Sequence, residues 1–313
     1  YLGQGAQAGK VSDLAYHNSL MVQIWSMLAT GETSLAVRAL RALPPTPSTG
    51  TWVCYTRCHD DIGWAIDDGD AAAVGLGGWA HRSFLADWYS GAFPGSPARG
   101  LVFQANEQTG DRRISGTAAS LCGLESARTT ADVDTALARI QLAHAIVAGW
   151  GGIPVLWSGD ELGLTNDPGW AAEPGHEDDN RWAHRPRLDP ARAALRDDLT
   201  TVEARVFHGL AHLARVRAGL PHLHASASAE VLEGADPGLL VVARRHAAGV
   251  MVGVYNVTRS PRPPPVGRLR RLGITDPYDA LSGHRPQWTG DGQIWVGPYG
   301  ASWFVEAGSP HAS

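Results

Sequence analysis

The sequence predicts an α/β fold, the C-terminal part of a parallel (β/α)8 TIM barrel with an inserted subdomain, followed by a small all-β domain. Three observations predict it. Short β-rich runs alternate with helical periodicities over the first two-thirds of the chain. Residues 62–127 are dense in Gly, Pro, Trp and charge without a sustained period, and are too long for a plain loop. After Pro221 the helical patterns give way to short strands and turns. A complete barrel takes roughly 250 residues, and only about three strands are legible, so the barrel is partial.

The elements follow in order. Residues 19–25 (SLMVQIW) are a strand or part of a helix, since a short apolar run has no period to decide between them. Residues 34–43 read as a helix with Leu35, Val37, Leu40 and Leu43 on one side, stopped by Pro44, Pro45 and Pro47. Residues 52–56 (WVCYT) read as a strand that runs into Arg57-Cys58-His59-Asp60-Asp61. Helical patterning returns over 136–148 and stops at Gly151-Gly152, and residues 153–157 (IPVLW) form the next strand. Residues 201–218 are an amphipathic helix. Beyond 221, residues 239–244 and 250–256 pair as a hairpin, with later strands at 293–296 and 301–305. The domains expected are a partial barrel from 1–61 and 128–220, an insert at 62–127, and a β-domain at 222–308.

Composition excludes several classes. The 313 residues are 44 % hydrophobic and 18 % charged, enough to bury a core and unlike a disordered chain. The formal charge is −5, from 26 basic and 31 acidic residues, which argues against a nucleic-acid partner. No run of about 18 apolar residues suggests a membrane span. Three cysteines, Cys54, Cys58 and Cys122, are too few for a disulfide scaffold. Cys54 and Cys58 lack a second pair for zinc, the Asp67-Asp68-Asp70 turn lacks the glutamate of a calcium loop, and no cofactor motif is found. The chain opens on Tyr1 and reads as cut from a longer one.

The chemistry concentrates in RCHDDIGW, residues 57–64. An adjacent His and Asp at a strand end can bind sugar hydroxyls and stabilise positive charge developing at an anomeric carbon. A surface loop with a capping Asp is the plain alternative.

This segment, with VFQANEQTGDRRISGTAASLCGL, GGIPVLWSGDELGLTND and DDNRWAHRPR, resembles the amylosucrases, sucrose-using glucan synthases of the α-amylase superfamily (glycoside hydrolase family 13). The resemblance covers nearly the whole chain and implies a closing β-sandwich after Pro221. It implies that Asp60 is the carboxylate that stabilises the oxocarbenium-like transition state, and that His59 binds glucosyl hydroxyls. It makes Arg181 the arginine at the base of the glucosyl pocket, with an acidic partner upstream of this sequence. It places Asp61, Gln104 and Arg113 on the fructosyl or acceptor side and Arg82 on the path of the growing glucan, and counts Arg57 among the substrate-binding residues. Of Trp79, Trp88 and Trp170, one at most is expected to stack on glucan. The family's nucleophilic Asp and acid/base Glu lie on the fourth and fifth barrel strands, and neither is in this sequence. Asp160 and Glu161 do not match either role. GQGAQAGKV near the start departs from the family pattern.

The implied activity is retaining transfer of glucose from sucrose to an α-glucan with release of fructose, the partners being sucrose and α-glucan, and this chain alone is expected to be inactive. Sucrose hydrolysis and a non-catalytic carbohydrate-binding role are the alternatives.

Overall fold

A computed structural model describes residues 12–47, 49–233 and 236–309. The GQGAQAGKV departure therefore lies outside the described residues. The elements, in chain order, are β1 (Leu14–Tyr16), α1 (Asn18–Thr30), α2 (Ser34–Arg41), β2 (Thr51–Tyr55), α3 (Asp68–Ala73), α4 (Gly78–Ser90), β3 (Leu101–Ala105), β4 (Arg112–Ser115), α5 (Ala118–Cys122) and α6 (Thr130–Trp150). There follow β5 (Ile153–Val155), α7 (Pro190–Ala194), α8 (Val202–Ala218), β6 (Ala229–Val231), β7 (Leu239–His246), β8 (Gly249–Asn256), α9 (Val266–Arg271), β9 (Pro277–Asp279) and β10 (Ala301–Glu306). They divide between two compact units: one of residues 1–55, 142–155 and 212–313, the other of 56–141 and 156–211.

The first unit contains a parallel sheet in the order β1-β2-β5. The apolar run at 19–25 is helical. His17 caps α1 by accepting from the Leu20 N–H at 3.2 Å, and Gly31, at φ 72°, closes it with its N–H on the Met27 carbonyl. Every residue from Leu20 to Leu28 is buried, so α1 has no polar face and its sequence carries no helical period. Tyr16 and Ile153 flank Val53 in register on one face of the parallel sheet. That face stays open: Leu14, Tyr16 and Ile153 are 48, 66 and 42 % exposed.

The β-domain is one five-stranded sheet, β6-β7-β8-β10-β9, antiparallel throughout. This corrects the expected sandwich: among the described residues no second sheet faces it. Leu239, Val241, Val252, Val254 and Phe304 on one face pack with Leu269 of α9 and with Ile274, Ile294 and Val296 from irregular chain. Those segments form the second layer without strand pairing. The strand expected at 293–296 shrinks to a single bridge between Val296 and Arg262, because Thr289 to Gln293 closes into a tight turn. On the opposite face, Tyr255 and Trp303 lie against Gly149 of α6, and the Trp303 indole donates to the Tyr255 hydroxyl at 3.1 Å. Two arginines close the end of α6. Arg244 donates to the Trp150 carbonyl and Arg217 to that of Ala148, satisfying carbonyls that the helix leaves unpaired, and Arg217 also donates to the Gly152 carbonyl just beyond it.

The second unit contains α3, α4, α5 and the β3–β4 hairpin. Asp67 caps α3 by accepting from the Asp70 N–H at 2.9 Å, so the acidic cluster there serves a helix start. Ile62 and Ile114 exchange backbone hydrogen bonds at 2.7 and 3.1 Å, joining the chain after Arg57 to the hairpin.

Candidate active site

Thr56 and Arg57 are buried while His59 and Asp60 are exposed, so the chain turns outward within four residues of the end of β2. What holds that turn is charge. Arg57 grips Asp160 with Nε at 2.8 Å and Nη2 at 2.8 Å, and its Nη1 donates to the His184 carbonyl at 3.0 Å. Both side chains are closed to solvent. Arg57 is thus an anchor under the site and not a side chain that can reach substrate, which corrects its expected place. The burial of Asp160 likewise denies it an acid/base role.

The backbone of His59 is clamped from the other side. Its carbonyl accepts from Arg185 Nε and Nη2 at 2.9 and 2.7 Å, and from His184 Nε2 at 3.0 Å. His184 Nδ1 accepts from the Gly116 N–H at 3.0 Å, which leaves the proton on Nε2. Burial lowers the His184 pKa to about 4, so the ring is neutral near pH 7. The His59 ring lies 5.3 Å from Trp157, tilted by 35°.

Asp60 meets Arg181 at 2.5 Å through Nη1. The rest of the Arg181 guanidinium is held by Asp179, Nε to Oδ1 at 2.8 Å and Nη2 to Oδ2 at 2.9 Å. Hydrogen bonding from Arg181 holds the Asp179 carboxyl below the usual range. The guanidinium also sits 4.7 Å over the Phe103 ring. Within this chain Arg181 is paired with Asp179, two residues earlier, and with Asp60.

Asp61 is mostly covered and faces Arg113 Nη1 at 3.4 Å. Gln104 takes φ +50°, rare for a residue with a side chain, at a register shift between Phe103 and Ala105. It lines a cleft of ≈ 510 Å³ with Phe103, Trp170, Asn180 and Arg181. Arg82 stands apart from this group: Nη1 takes Asp68 at 2.7 Å and Nε takes Asp111 at 3.1 Å. Trp79 donates to the Thr109 carbonyl at 2.7 Å, and Trp88 packs on Phe84 and Phe93.

His59, Asp60 and Arg181 thus come together, Asp61 pairs with Arg113, and Gln104 shares a cleft with Arg181. Sequence reasoning missed Asp179, His184, Arg185 and Trp157. The spacing of Asp179 and Arg181 was a usable signal; the contacts of His184 and Arg185 join positions about 125 residues apart and had none. Among the described residues, no group of three or more His, Cys, Asp or Glu side chains is placed to hold a metal ion, and no helix is long and apolar enough to cross a membrane.

No family model matches the sequence. Solved structures do. Sucrose 6F-phosphate phosphorylase from Thermoanaerobacter thermosaccharolyticum aligns over 78 % of this chain and 43 % of its own, at 14 % identity and TM-score 0.55. AmyP in complex with maltose aligns over 96 % of this chain and 50 % of its own, at 14 % identity and TM-score 0.55. A cyclic α-maltosyl-(1→6)-maltose hydrolase from Arthrobacter globiformis aligns over 97 % and 47 %, at 16 % identity and TM-score 0.52. The chain spans about half the length of these structures. At such identities the similarity establishes a shared fold.

Proposed function

We propose that the chain is part of a retaining, sucrose-dependent glucosyltransferase of the amylosucrase type within the α-amylase superfamily. The observation that carries this reading is the contact between Asp60 and Arg181, with His59 adjacent and Asp179 fixing the guanidinium from behind. The open apolar face of the parallel sheet supports it, since parallel strands are ordinarily covered on both faces and more barrel is implied. Residues 62–127 then form the insert that narrows the substrate pocket.

In this mechanism a nucleophilic carboxylate and a general acid come from polypeptide outside this sequence. The nucleophile forms a bond to the glucosyl anomeric carbon as the bond to fructose breaks, and the acid protonates the departing fructosyl oxygen. A glucan hydroxyl then attacks the glucosyl ester and returns its proton to the same residue, so configuration is retained over two inversions. Asp60 stabilises positive charge at the anomeric centre in both steps. His59, clamped at its carbonyl, presents its ring to the glucosyl hydroxyls. Asp61 and Arg113 face the fructosyl or acceptor side.

The hydrolase alternative is favoured by one observation: the Arg82 guanidinium is engaged by Asp68 and Asp111, which reduces its freedom to guide a glucan. Supplying the whole protein with sucrose and measuring fructose, free glucose and glucan separates the two readings. Fructose well in excess of glucose, with growing glucan, is expected. Equal fructose and glucose would favour hydrolysis, and no fructose would refute both.

A further inference from the structure

One turn of chain holds both His59 and Asp60. The 3₁₀ turn Asn180–His184 carries Arg181, which meets Asp60, and His184, which donates to the His59 carbonyl. Arg185 caps the end of this turn and donates to that same carbonyl from Nε and Nη2 at 2.9 and 2.7 Å. Trp182, in the middle of the turn, has no part in the proposed mechanism. Its indole lies parallel to the His176 ring, with centroids 3.8 Å apart and 5° between the planes. The Arg185 guanidinium sits 4.9 Å over the same indole. Glu173 extends the group, 3.8 Å from His176 Nδ1 and 2.7 Å from Arg187 Nη2.

Arg185 needs the support of that ring. It is a long, half-buried side chain whose two bonds to the carbonyl lie where water competes for both partners. Ordering such a side chain costs entropy that exposed hydrogen bonds only partly offset. A guanidinium confined to an aromatic face has already lost most of that freedom, so its fork meets the carbonyl preformed. The indole can serve as this backstop because it is itself held. The stack on His176 fixes its plane, and two backbone bonds fix its root: Trp182 N–H to the Asp179 carbonyl and Arg185 N–H to the Trp182 carbonyl, both 3.1 Å. The consequence falls on His59. Its side chain is exposed and its ring rests loosely against Trp157, 5.3 Å between centroids, so the backbone decides where the ring points. Asp60 is the next residue and shares that backbone.

We infer that Trp182 is a positioning residue. It holds the Arg185 guanidinium on the His59 carbonyl and thereby sets the direction of the His59 ring and of the Asp60 carboxylate. The effect on turnover rests on the glucosyl-transfer reading; the effect on His59 is measured without it. The whole protein is compared with Trp182→Leu, which keeps apolar bulk and loses the ring face, with Trp182→Phe, which keeps a face, with Arg185→Ala, and with Trp182→Leu and Arg185→Ala combined. The readouts are the His59 imidazole C–H resonance, assigned with His59→Gln, and kcat and KM for fructose release from sucrose, with thermal melting to verify folding. Trp182→Leu is expected to move the His59 resonance and to lower kcat by about 10-fold or more, with KM less affected. Trp182→Phe is expected to stay within about threefold of wild type. Arg185→Ala is expected to match Trp182→Leu, and the double variant to fall within about twofold of Arg185→Ala alone, since both changes break one chain of contacts. Losses that multiply in the double variant overturn the inference, as does a folded Trp182→Leu with wild-type resonance and kcat, or a folded Trp182→Phe that restores neither. An unmoved His59 resonance in Arg185→Ala also overturns it, whatever the fate of Trp182→Leu. Fructose release by the wild type that ignores Trp182 defeats the positioning role and spares the transferase reading. A His59 resonance displaced alike in Trp182→Leu and Arg185→Ala, in a protein that releases no fructose, does the reverse.

Discussion

Arg57 and Asp160 form an ion pair at 2.8 Å with 1 and 0 % of their side chains exposed, and the HDD segment rests on it. The pair joins residues 103 positions apart and ties the exit of β2 to the turn that follows β5. A buried pair of this kind is weak evidence of net stability, but breaking it strands a charge. Asp160→Ala is expected to lower unfolding free energy by about 3–5 kcal/mol. A double replacement, Arg57→Met with Asp160→Leu, is expected to recover most of that. Urea denaturation of the three proteins checks this, and a single replacement as stable as wild type would remove the anchor role.

Asp60 calls for the opposite balance. Its pair with Arg181 is half-exposed, so its worth to the fold is at most about 1 kcal/mol. In the proposed mechanism its worth to the reaction is the stabilisation of developing positive charge. Asp60→Asn in the whole protein is expected to cut sucrose turnover by about 10³-fold or more while the denaturation midpoint barely moves. Arg181→Lys keeps the charge and loses the fork that Asp179 grips. Displacement of Asp60 then costs about 10²-fold. Equal losses of stability and activity in Asp60→Asn would indicate a structural carboxylate instead.

The legible parts of the fold were those with a local signal. Pro44 and Pro45 marked the end of α2, the β-rich run at 52–56 marked β2, and the Gly-containing turn marked the β7–β8 hairpin. Helix α1 was ambiguous because it is buried all round, which removes the polar face that a period needs. Strands β1, β6 and β9, three residues each, carry too few residues to alternate, whereas β5, equally short, was marked by the Gly151-Gly152 stop before it. In the site, His59 and Asp60 stood out because chemistry-bearing residues follow a strand directly. Asp160, which matched no catalytic role in the sequence, is an anchor, because burial and a distant arginine decide its role. Asp179 grips Arg181 from two residues away, a contact the sequence reading did not name.

Two buried histidines give the protein an acid limit. Burial lowers the pKa of His17 to about 3 and that of His184 to about 4. In the unfolded chain both titrate near 6.5, so between that value and the folded pKa the unfolded state binds protons that the native state refuses. Stability is therefore complete above about pH 6.5 and falls as pH drops through 6.5 toward 4. Each histidine is expected to remove about 2 kcal/mol between pH 7 and pH 5. Denaturant midpoints across that range check the sum. For His184, protonation would also place a proton on Nδ1 against the Gly116 N–H, so that hydrogen bond is lost. A flat stability profile from pH 7 to 5 would contradict both shifts.

Gly149 lies in the last turn of α6, where helix propensity alone favours alanine by about 1 kcal/mol. The packing reverses that preference. A Cβ at Gly149 would stand 2.0 Å from the Tyr255 hydroxyl oxygen and 2.8 Å from the Trp303 indole nitrogen, both under the buried face of the five-stranded sheet. Neither ring has room to withdraw: Tyr255 and Trp303 are 1 and 0 % exposed and bonded to each other. Gly149→Ala is expected to lower stability by about 1–3 kcal/mol despite the gain in propensity. Adding Tyr255→Phe removes the colliding oxygen and should return part of the loss, though the Trp303 N–H then loses its acceptor. Chemical denaturation of the single and double variants measures the coupling. If Gly149→Ala is neutral or stabilising, the sheet does not press on α6 at this glycine.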